Sequence, residues 1–160
     1  MAKRNLQRFP SMGKHNSVWY WKQIVSPSRV FYHYLLMSLA RISPSLHLKH
    51  LLYRKMGIKI GRNVSIALEV NMDVFFPHLI EIGDNTIIGF NSTIMCHEFL
   101  MREHVTGPVI IGKNVMIGAN TTILPGVKIA DGAVVSAHSL VNSDIKGFSG
   151  GVPARPIKQG

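Results

Sequence analysis

The chain has 160 residues, 46% of them hydrophobic and 16% charged, which is enough for one domain with a hydrophobic core and excludes a disordered chain. Its net charge of +10 lies in the N-terminal part, because residues 1–68 hold twelve Lys and Arg and no Asp or Glu. A single Cys excludes an internal disulfide framework, and the basic start MAKRNLQRFP leads into no apolar segment, so we expect no signal peptide and a cytoplasmic location.

Residues 1–25 are predicted to form a basic N-terminal arm that is extended or poorly ordered. Basic segments attract anionic partners, but no recognition motif accompanies the charge, so we expect no nucleic-acid partner. Two interpretations stay open. The arm only adds solubility, or it makes peripheral contact with an anionic membrane, such as the inner face of the cell membrane.

Residues 26–57 are predicted to form a short helical hairpin. Ser26-Pro27 and Ser43-Pro44 each precede an apolar run, and serine suits an N-cap while proline suits the first helical turn. Gly57 suits the end of the second helix. A helix pair that lies on a membrane surface is the alternative. The apolar residues expected on the buried faces are Val30, Tyr34, Leu35, Leu48, Leu51 and Leu52.

From Ile60 onward the chain repeats every six residues, in hexads such as IGRNVS, IGDNTI and IGKNVM. A period of six fits neither an amphipathic helix nor one long strand, but it fits short strands joined by tight corners. The first position is always Ile or Val, and the fourth is mostly Asn, Gly, Asp or His, which tolerate the positive φ of a corner. Residues 58–160 are therefore predicted to form an all-β solenoid, a parallel β-helix with three-sided coils of eighteen residues.

The repeat stops after Cys96-His97 and resumes at Ile111, with a loop excursion over residues 99–109. A loop that leaves the solenoid costs chain entropy without adding to the core, and such loops usually serve binding. His97 occupies the corner position beside this loop, where an accessible imidazole can act as a general base. A structural corner role is the alternative for His97, and it is the favoured role for His138, which holds the same position in a later hexad.

The segments CHEFLMREHVTGPVIIGKNVMIGANTTILPGV and GGVPARPIK resemble the maltose, galactoside and serine O-acetyltransferase-like branch of the hexapeptide-repeat acyltransferases. The likeness covers residues 57–160, and the hairpin resembles that of uncharacterised bacillar acetyltransferases. The resemblance implies a left-handed β-helix, which the right-handed rule for parallel crossovers would not predict. It also implies an O-acyltransferase with acetyl-CoA as the donor, a small-molecule hydroxyl acceptor, no metal, and a homotrimer with sites between subunits.

Within this resemblance His97 matches the position of the family's general base. Such a base takes the acceptor proton as the acceptor oxygen attacks the thioester. Backbone groups of Ala119 and Ala137 would line the coenzyme groove, and an N–H near Ala119 of a neighbouring subunit would bind the oxyanion. Arg155 and Lys158 match basic residues near the nucleotide phosphate.

The resemblance also places Asn142 and Ser143 in the coenzyme site, where the family often has Thr-Lys. A lysine that faces the phosphate is therefore missing from these two positions. Lys146 is the candidate that could replace it.

Three polar residues near the loop are candidates for acceptor binding. Asn71 and Asp73 precede the irregular stretch VFFPHL, and their alternative role is to cap a turn ahead of Pro77. Glu98 interrupts a column of small and β-branched residues, and it could bind the acceptor, orient His97 or cap the base of the loop. Adjacent side chains of an extended chain point to opposite faces, which weighs against contact between Glu98 and His97.

Cys96 is expected to be a small buried hydrophobe rather than a nucleophile, because nothing in the sequence places a thiolate-stabilising charge beside it. Two other functions stay open. A zinc enzyme like the γ-class carbonic anhydrases would use His97, His104 and His138, although three ligands must converge on one point. A non-catalytic solenoid would instead scaffold a membrane-associated assembly through the basic hairpin.

Overall fold

The hexads fold into a three-sided prism of short parallel strands in the computed structural model, which describes residues 4–158. The strands are β1 (Gln7–Pro10), β2 (Lys59–Ile60), β3 (Ser65–Ile66), β4 (Asn71–Met72), β5 (Ile80–Ile82), β6 (Ile87–Ile88), β7 (Thr93–Ile94), β8 (His97–Phe99), β9 (Glu103–Thr106), β10 (Val109–Ile111), β11 (Met116–Ile117), β12 (Thr122–Ile123), β13 (Lys128–Ile129), β14 (Val134–Val135), β15 (Leu140–Val141), β16 (Phe148–Gly150) and β17 (Arg155–Pro156). The helices are α1 (Trp21–Ile24), α2 (Pro27–Ile42) and α3 (Leu46–Lys55), and single 3-10 turns lie at Ser17–Tyr20 and Pro77–Leu79.

Three parallel sheets form the faces of the prism. Face 1 contains β2, β5, β10 and β13, and face 3 contains β4, β7, β12 and β15. Face 2 contains β3, β6, β11, β14 and β16, and antiparallel β17 closes its end. Strands of one face are stacked one coil apart, so Ile111 pairs with Ile129, eighteen residues later.

Two coils are longer than the regular one. Ile60 pairs with Ile82, 22 residues later, and Ile82 pairs with Ile111, 29 residues later. The extra residues lie in the irregular stretch before β5 and in the excursion between β7 and β10. Both insertions return to the same register, and as a result each isoleucine ladder continues past them.

Isoleucines at the first position of the hexads fill the inside of the prism. Ile88, Ile94 and Ile123 have no exposed surface, and Met72 takes the same inward place in the first coil. Burial of one such side chain contributes about 1.5–3 kcal/mol. The repeated isoleucines therefore contribute substantially to the stability of the solenoid.

The predicted left-handed corners are present at nine of the eleven fourth positions, His138 among them, with φ between 54° and 79°. His97 and Asp144 are the two fourth-position residues without a positive φ. His97 lies in β8 instead, because the chain leaves the coil at this point to form the excursion. The prediction that His97 sits at a solenoid corner is therefore wrong.

The helical hairpin is present, but its predicted buried faces are wrong. Of the six residues expected to be buried only Leu52 is, and Tyr34, Leu35, Leu48 and Leu51 are about half exposed. Apolar residues occur all round α2, so periodicity alone does not select a face. The faces that pack on the prism instead carry His33, Met37 and Ala40 on α2, and Lys49, Leu52 and Tyr53 on α3.

Polar contacts at the hairpin decide which faces are buried. The Lys49 ammonium donates to the carbonyl of Ala67 over 2.7 Å, and a ring nitrogen of His33 lies 2.9 Å from the carbonyl oxygen of Val74. The N-cap of α3 is Ser45, whose hydroxyl accepts from the Leu48 N–H, whereas Ser43 was predicted. Gly57, with φ of +97°, ends the hairpin as predicted. Within residues 4–158 we find no helix with both the length and the apolar character needed to cross a membrane.

Candidate functional site

The excursion after His97 is a β-hairpin, and the N-terminal arm adds a third strand to it. Strands β8 and β9 pair antiparallel, and β1 pairs antiparallel with the other edge of β9. The described part of the arm, residues 4–25, is extended over β1 as predicted, but it is paired to the excursion rather than loose. The prediction is wrong for its second part, which is helical over Ser17–Tyr20 and α1. This three-stranded sheet lies outside the solenoid and carries His97 on its first strand.

The register of this sheet shows which side chains share a face with His97. His97 pairs with Thr106, which pairs with Gln7, and Phe99 pairs with His104, which pairs with Phe9. Residues paired across antiparallel strands point to the same side of a sheet, as do residues two apart along a strand. His97 therefore shares one sheet face with a row of apolar and neutral side chains, namely Phe99, His104, Thr106, Gln7 and Phe9.

Asp73 fixes the orientation of the His97 ring. Asp73 Oδ2 lies 2.5 Å from His97 Nδ1 and also accepts the N–H of Cys96 over 2.7 Å. Asp73 Oδ1 accepts the N–H groups of Phe75 and Phe76, both over 2.8 Å. The Asp73 side chain has no exposed surface. Both carboxylate oxygens are fully engaged, and the aspartate is rigidly placed behind the imidazole.

These contacts also decide the ionisation of Asp73. Burial acts to raise its pKa, but the hydrogen bond to His97, the proximity of that ring, and the Phe76 and Cys96 N–H groups bring the pKa below the usual value of 3.8. Asp73 is therefore a carboxylate at neutral pH and can only accept hydrogen bonds. His97 Nδ1 is then the donor to Asp73, and in the neutral form of such an imidazole the lone pair lies on Nε2.

Aromatic rings surround the imidazole. The Phe75, Phe99 and Phe76 ring centroids lie 4.7, 5.0 and 5.7 Å from that of His97. Only 17% of the His97 side chain is exposed. The ring is thus partly shielded from water. The sequence does not predict these phenylalanines as site residues, although the stretch VFFPHL is irregular.

The three acceptor candidates occupy different places. Asp73 is fully buried behind His97, so its predicted contact with the acceptor is not possible in this structure. Asn71 lies on β4, half-buried, and its side chain donates to the carbonyl of Glu69 over 3.1 Å. Glu98 lies on the sheet face opposite to His97, where it pairs with Arg4 over 2.7 Å. The acceptor roles of Asn71 and Glu98 stay predictions.

Ala119 and Ala137 lie one above the other at the edge between faces 2 and 3, just after β11 and β14. Neither N–H donates a hydrogen bond to another described residue. At the edge between faces 1 and 2, in contrast, the equivalent N–H of Lys113 is capped by Asp131 over 2.8 Å. The edge at Ala119 and Ala137 thus presents unused backbone donors.

The other predicted coenzyme residues fall at two separate places. Arg155 lies on β17 at the end of face 2, with Lys158 three residues later, and both are exposed. Asn142 and Ser143 follow β15 at the edge between faces 3 and 1, and both are half-buried. His97 leaves the prism at that same edge, so within one chain it is not brought together with Ala119 or Ala137.

A zinc site finds no support in the described residues. His104 lies on β9 near His97, whereas His138 lies at another edge of the prism, beside Asn120. Within residues 4–158 no group of three or more His, Cys, Asp or Glu is placed to hold a metal ion.

Cys96 is fully buried in the core, as predicted. Burial, and then the negative charge of Asp73, raise the pKa of its thiol far above the usual value of 9.0. The thiol therefore stays protonated and inert at neutral pH.

Comparisons with known proteins give a consistent result. The family model of the bacterial transferase hexapeptide (six repeats) matches residues 108–143. "Putative acetyltransferase YvoF" of Bacillus subtilis (strain 168) is 48% identical over 157 residues, which covers 96% of this chain and 91% of the relative. The likeness thus extends over the helical hairpin and the solenoid together.

Solved structures have the same fold. The hexapeptide-repeat containing acetyltransferase VCA0836 of Vibrio cholerae O1 biovar eltor, complexed with acetyl-CoA, matches with a TM-score of 0.68 and 25% identity, over 80% of this chain and 85% of that chain. A galactoside acetyltransferase in complex with coenzyme A matches with a TM-score of 0.64 and 26% identity, over 83% and 81%. These likenesses confirm the predicted fold class, a left-handed parallel β-helix preceded by a helical hairpin.

Proposed function

Since this chain belongs to the hexapeptide-repeat acetyltransferases, we propose that it transfers an acetyl group from acetyl-CoA to a hydroxyl acceptor, with His97 as the general base. The observation that carries the proposal is the contact between His97 Nδ1 and the buried Asp73 carboxylate. It leaves His97 Nε2 as a hydrogen-bond acceptor on a partly shielded ring. A hydroxyl that donates to Nε2 is thereby placed for deprotonation.

The reaction is a direct transfer. As the acceptor oxygen attacks the thioester carbonyl carbon, its proton moves to His97 Nε2, and the negative charge of Asp73 stabilises the imidazolium that forms. The tetrahedral intermediate then collapses, the carbon–sulfur bond breaks, and the coenzyme sulfur leaves with a proton from Nε2. The products are an acetyl ester and free coenzyme A, and His97 returns to its starting state.

The donor fits the edge at Ala119 and Ala137. Acetyl-CoA is present in a related structure of this fold, and its pantetheine amides need hydrogen-bond partners. The two unused N–H groups at this edge offer such partners on successive coils. The N–H of Ala119 is the proposed oxyanion donor. Arg155 and Lys158 supply positive charge near the end of the same face for the phosphates.

A homotrimer completes the site. His97 and Ala119 lie at different edges of one prism, so they face each other only across two subunits. Face 2 offers a suitable contact surface, since Ile87 and Met116 on its outer side are almost half exposed. The outer side of face 1 carries charged residues instead, among them Lys59 and Glu81. An apolar flat face beside a charged one favours self-association through the apolar face.

Peripheral membrane contact and a cytoplasmic location stay proposals. α2 exposes an apolar stripe of Phe31, Leu35, Leu39 and Ile42, and residues 4–68 contain no acid that would repel anionic lipid. Co-sedimentation with vesicles that contain phosphatidylglycerol, against neutral vesicles, tests this contact. A non-catalytic scaffold needs no oriented imidazole, and the pair of His97 and Asp73 therefore favours the enzyme.

The proposed function is tested by release of coenzyme thiol from acetyl-CoA in the presence of hydroxyl and amine acceptors. We expect release that depends on a hydroxyl acceptor and equals the acetyl ester formed, as measured by mass spectrometry. Base-labile product identifies an ester rather than an amide. Thiol release that no acceptor accelerates, or an amide as the sole product, would contradict the proposal.

Two inactive variants are expected to restore activity to each other when they assemble together. His97→Ala removes the base, and Ala137→Trp fills the proposed coenzyme groove at an exposed position. A mixed trimer contains interfaces where an intact His97 faces an intact Ala137 of the next subunit. Each mixed trimer has one such interface among its three, so purified mixed trimers are expected to have about a third of the wild-type sites.

Co-expression with two affinity tags and purification of the mixed species provides the measurement. Trimers that contain one variant alone are the control and should stay inactive. If the mixed trimers are also inactive while each variant is folded and trimeric, the site does not lie between subunits.

A further inference from the structure

We propose that the acceptor is an uncharged molecule that joins its hydroxyl to an apolar group, and that this apolar group binds in a cleft beside His97. The cleft has a volume of about 360 Å³ and lies between the N-terminal arm, the stretch before β5 and strand β9. This inference rests on the proposed function and names the substrate class of the same site.

The floor of the cleft is the sheet face that carries His97. The cleft is lined by Gln7 and Phe9 of β1 and by His104 and Thr106 of β9, which all point to the His97 side of the sheet. Thr106 is the direct partner of His97 across β8 and β9, and adjacent strands lie about 4.8 Å apart. The cleft therefore begins one strand away from the proposed base.

The walls connect the cleft to the same site. Phe76 packs against His97 on one side, with ring centroids 5.7 Å apart, and lines the cleft on the other. The Phe9 ring stacks on His104 at 4.8 Å and closes the floor. Met12 of the arm and Leu79 supply further apolar wall. His97 itself does not line the cleft, so in this proposal the acceptor reaches from Nε2 past Phe76 to the apolar surface.

The described lining of the cleft offers no permanently charged side chain. The described residues that line it include no Asp, Glu, Lys or Arg, and its titratable lining residues are His78 and His104. Burial, and then the proximity of His97, lower the pKa of His104, which is therefore neutral at neutral pH. The arginines of the arm point to the opposite sheet face, where Arg4 pairs with Glu98 and Arg8 with Glu103. The positive charge of the arm is thus used to hold the sheet together and is not offered to an anionic acceptor.

The cleft is built into the chain rather than left by a loose arm. Asn5 N donates to the carbonyl of Gly126 over 2.9 Å at the base of the arm. A Cβ on Gly107 or Gly126 would lie 2.5 or 2.6 Å from the carbonyl oxygen of Asn5, and Gly126 has φ of +79°. Both glycines therefore let the arm seat against the excursion. A volume of this size lies in the range of small-molecule sites and suits an aryl ring or a medium alkyl chain.

The test compares hexyl with methyl β-D-glucopyranoside, which share one sugar and differ only in the apolar group. Binding is measured by isothermal titration calorimetry on the intact protein without acetyl-CoA. We expect the hexyl compound to bind at least about tenfold more tightly, because its five extra methylenes leave water. Equal affinity for the two compounds would overturn the proposal.

Variants locate the binding site. Phe9→Ser should abolish most of the hexyl preference, and so should Met12→Gln, which changes an exposed wall residue without disturbing the β1 pairing. Phe31→Ser on α2 is the matched control, since Phe31 is equally apolar but lies outside the cleft, and it should keep the preference. A preference that survives both cleft variants would place the alkyl chain elsewhere.

The outcomes separate this inference from the proposed function. A hexyl preference in binding, with no acetyl transfer to any hydroxyl acceptor, would contradict the enzyme function but not the cleft. Acetyl transfer with equal KM for hexyl and methyl acceptors, and no preference in binding, would contradict the cleft alone. A preference that appears only after the oligomer is dissociated would show that a neighbouring copy fills the cleft, which also overturns the proposal.

Discussion

His97→Ala is expected to lower kcat/KM for acetyl transfer by about 10²–10⁴. The substitution removes the imidazole whose Nδ1 contacts Asp73 and whose Nε2 is proposed to accept the hydroxyl proton. The proposed coenzyme groove at Ala119 and Ala137 lies at another edge of the prism, so binding of acetyl-CoA should change little. Steady-state thiol release with a saturating acceptor, together with calorimetric titration of coenzyme A, measures the two effects separately.

His47→Ala is the matched control for this experiment. His47 is exposed on α3, far from the excursion in the fold, and its loss should leave both kcat and KM unchanged. Thermal unfolding of all three proteins shows whether the solenoid is intact. A folded His97→Ala protein that retains wild-type activity would remove His97 from the mechanism.

The solenoid could be predicted from the sequence because its determinants are local and repeated. Each hexad begins with an inward Ile or Val, and nine of the eleven fourth positions form the expected corner, so many copies indicate the same structure. Ile88 and Ile94 are buried and Asn85 and Asn91 have positive φ, as the pattern indicates. The excursion could be predicted for the same reason, because the six-residue repeat stops after His97 and resumes at Ile111.

The faces of the hairpin could not be predicted because α2 is apolar on all sides. Tyr34 and Leu35 fit a helical stripe as well as Met37 does, and the sequence does not show which stripe meets the prism. The choice depends on distant polar partners, such as the carbonyls of Ala67 and Val74. These partners lie on coils that the helices reach only in three dimensions.

The pairing of the arm with β9 and the contact between Asp73 and His97 could not be predicted, because both join residues that are distant in sequence. Arg8 of β1 pairs with Val105 of β9, almost a hundred residues away, and a four-residue strand carries no register signal of its own. Asp73 was identified as a site residue, but its partner was not, because the irregular stretch after it hides where its side chain points. The backbone N–H groups of Phe75 and Phe76 hold the Asp73 side chain inward, and no sequence pattern predicts these hydrogen bonds.

Asp73→Asn is expected to lower kcat/KM by about 10²–10⁴ although Asp73 does not touch either substrate. In the proposed mechanism Asp73 is a positioning residue, since its carboxylate contacts His97 Nδ1 and would stabilise the imidazolium. An amide can donate to Nδ1 and thus favour the other tautomer, in which Nε2 carries the proton and cannot act as a base. The ¹⁵N chemical shifts of the His97 ring report this change of tautomer directly, which a merely structural defect would not produce.

Asp131→Asn is the matched control, because Asp131 also accepts a backbone N–H, that of Lys113, but does so at an edge away from the excursion. It should keep full activity. An Asp73→Asn protein with the wild-type tautomer and wild-type kcat would show that the aspartate serves the turn alone.

The same substitution should change how stability depends on pH. The folded-state pKa of Asp73 is lowered below its unfolded value of about 3.9, so the ionised carboxylate stabilises the fold at all pH values above that value. This stabilisation is lost as the pH falls through the lower folded-state pKa. Asp73→Asn should therefore be less stable than wild type at pH 7, and the difference should shrink steadily below about pH 4. Urea unfolding at a series of pH values measures the difference in unfolding free energy between the two proteins. A difference that is constant down to pH 2 would mean that Asp73 is not ionised in the folded protein.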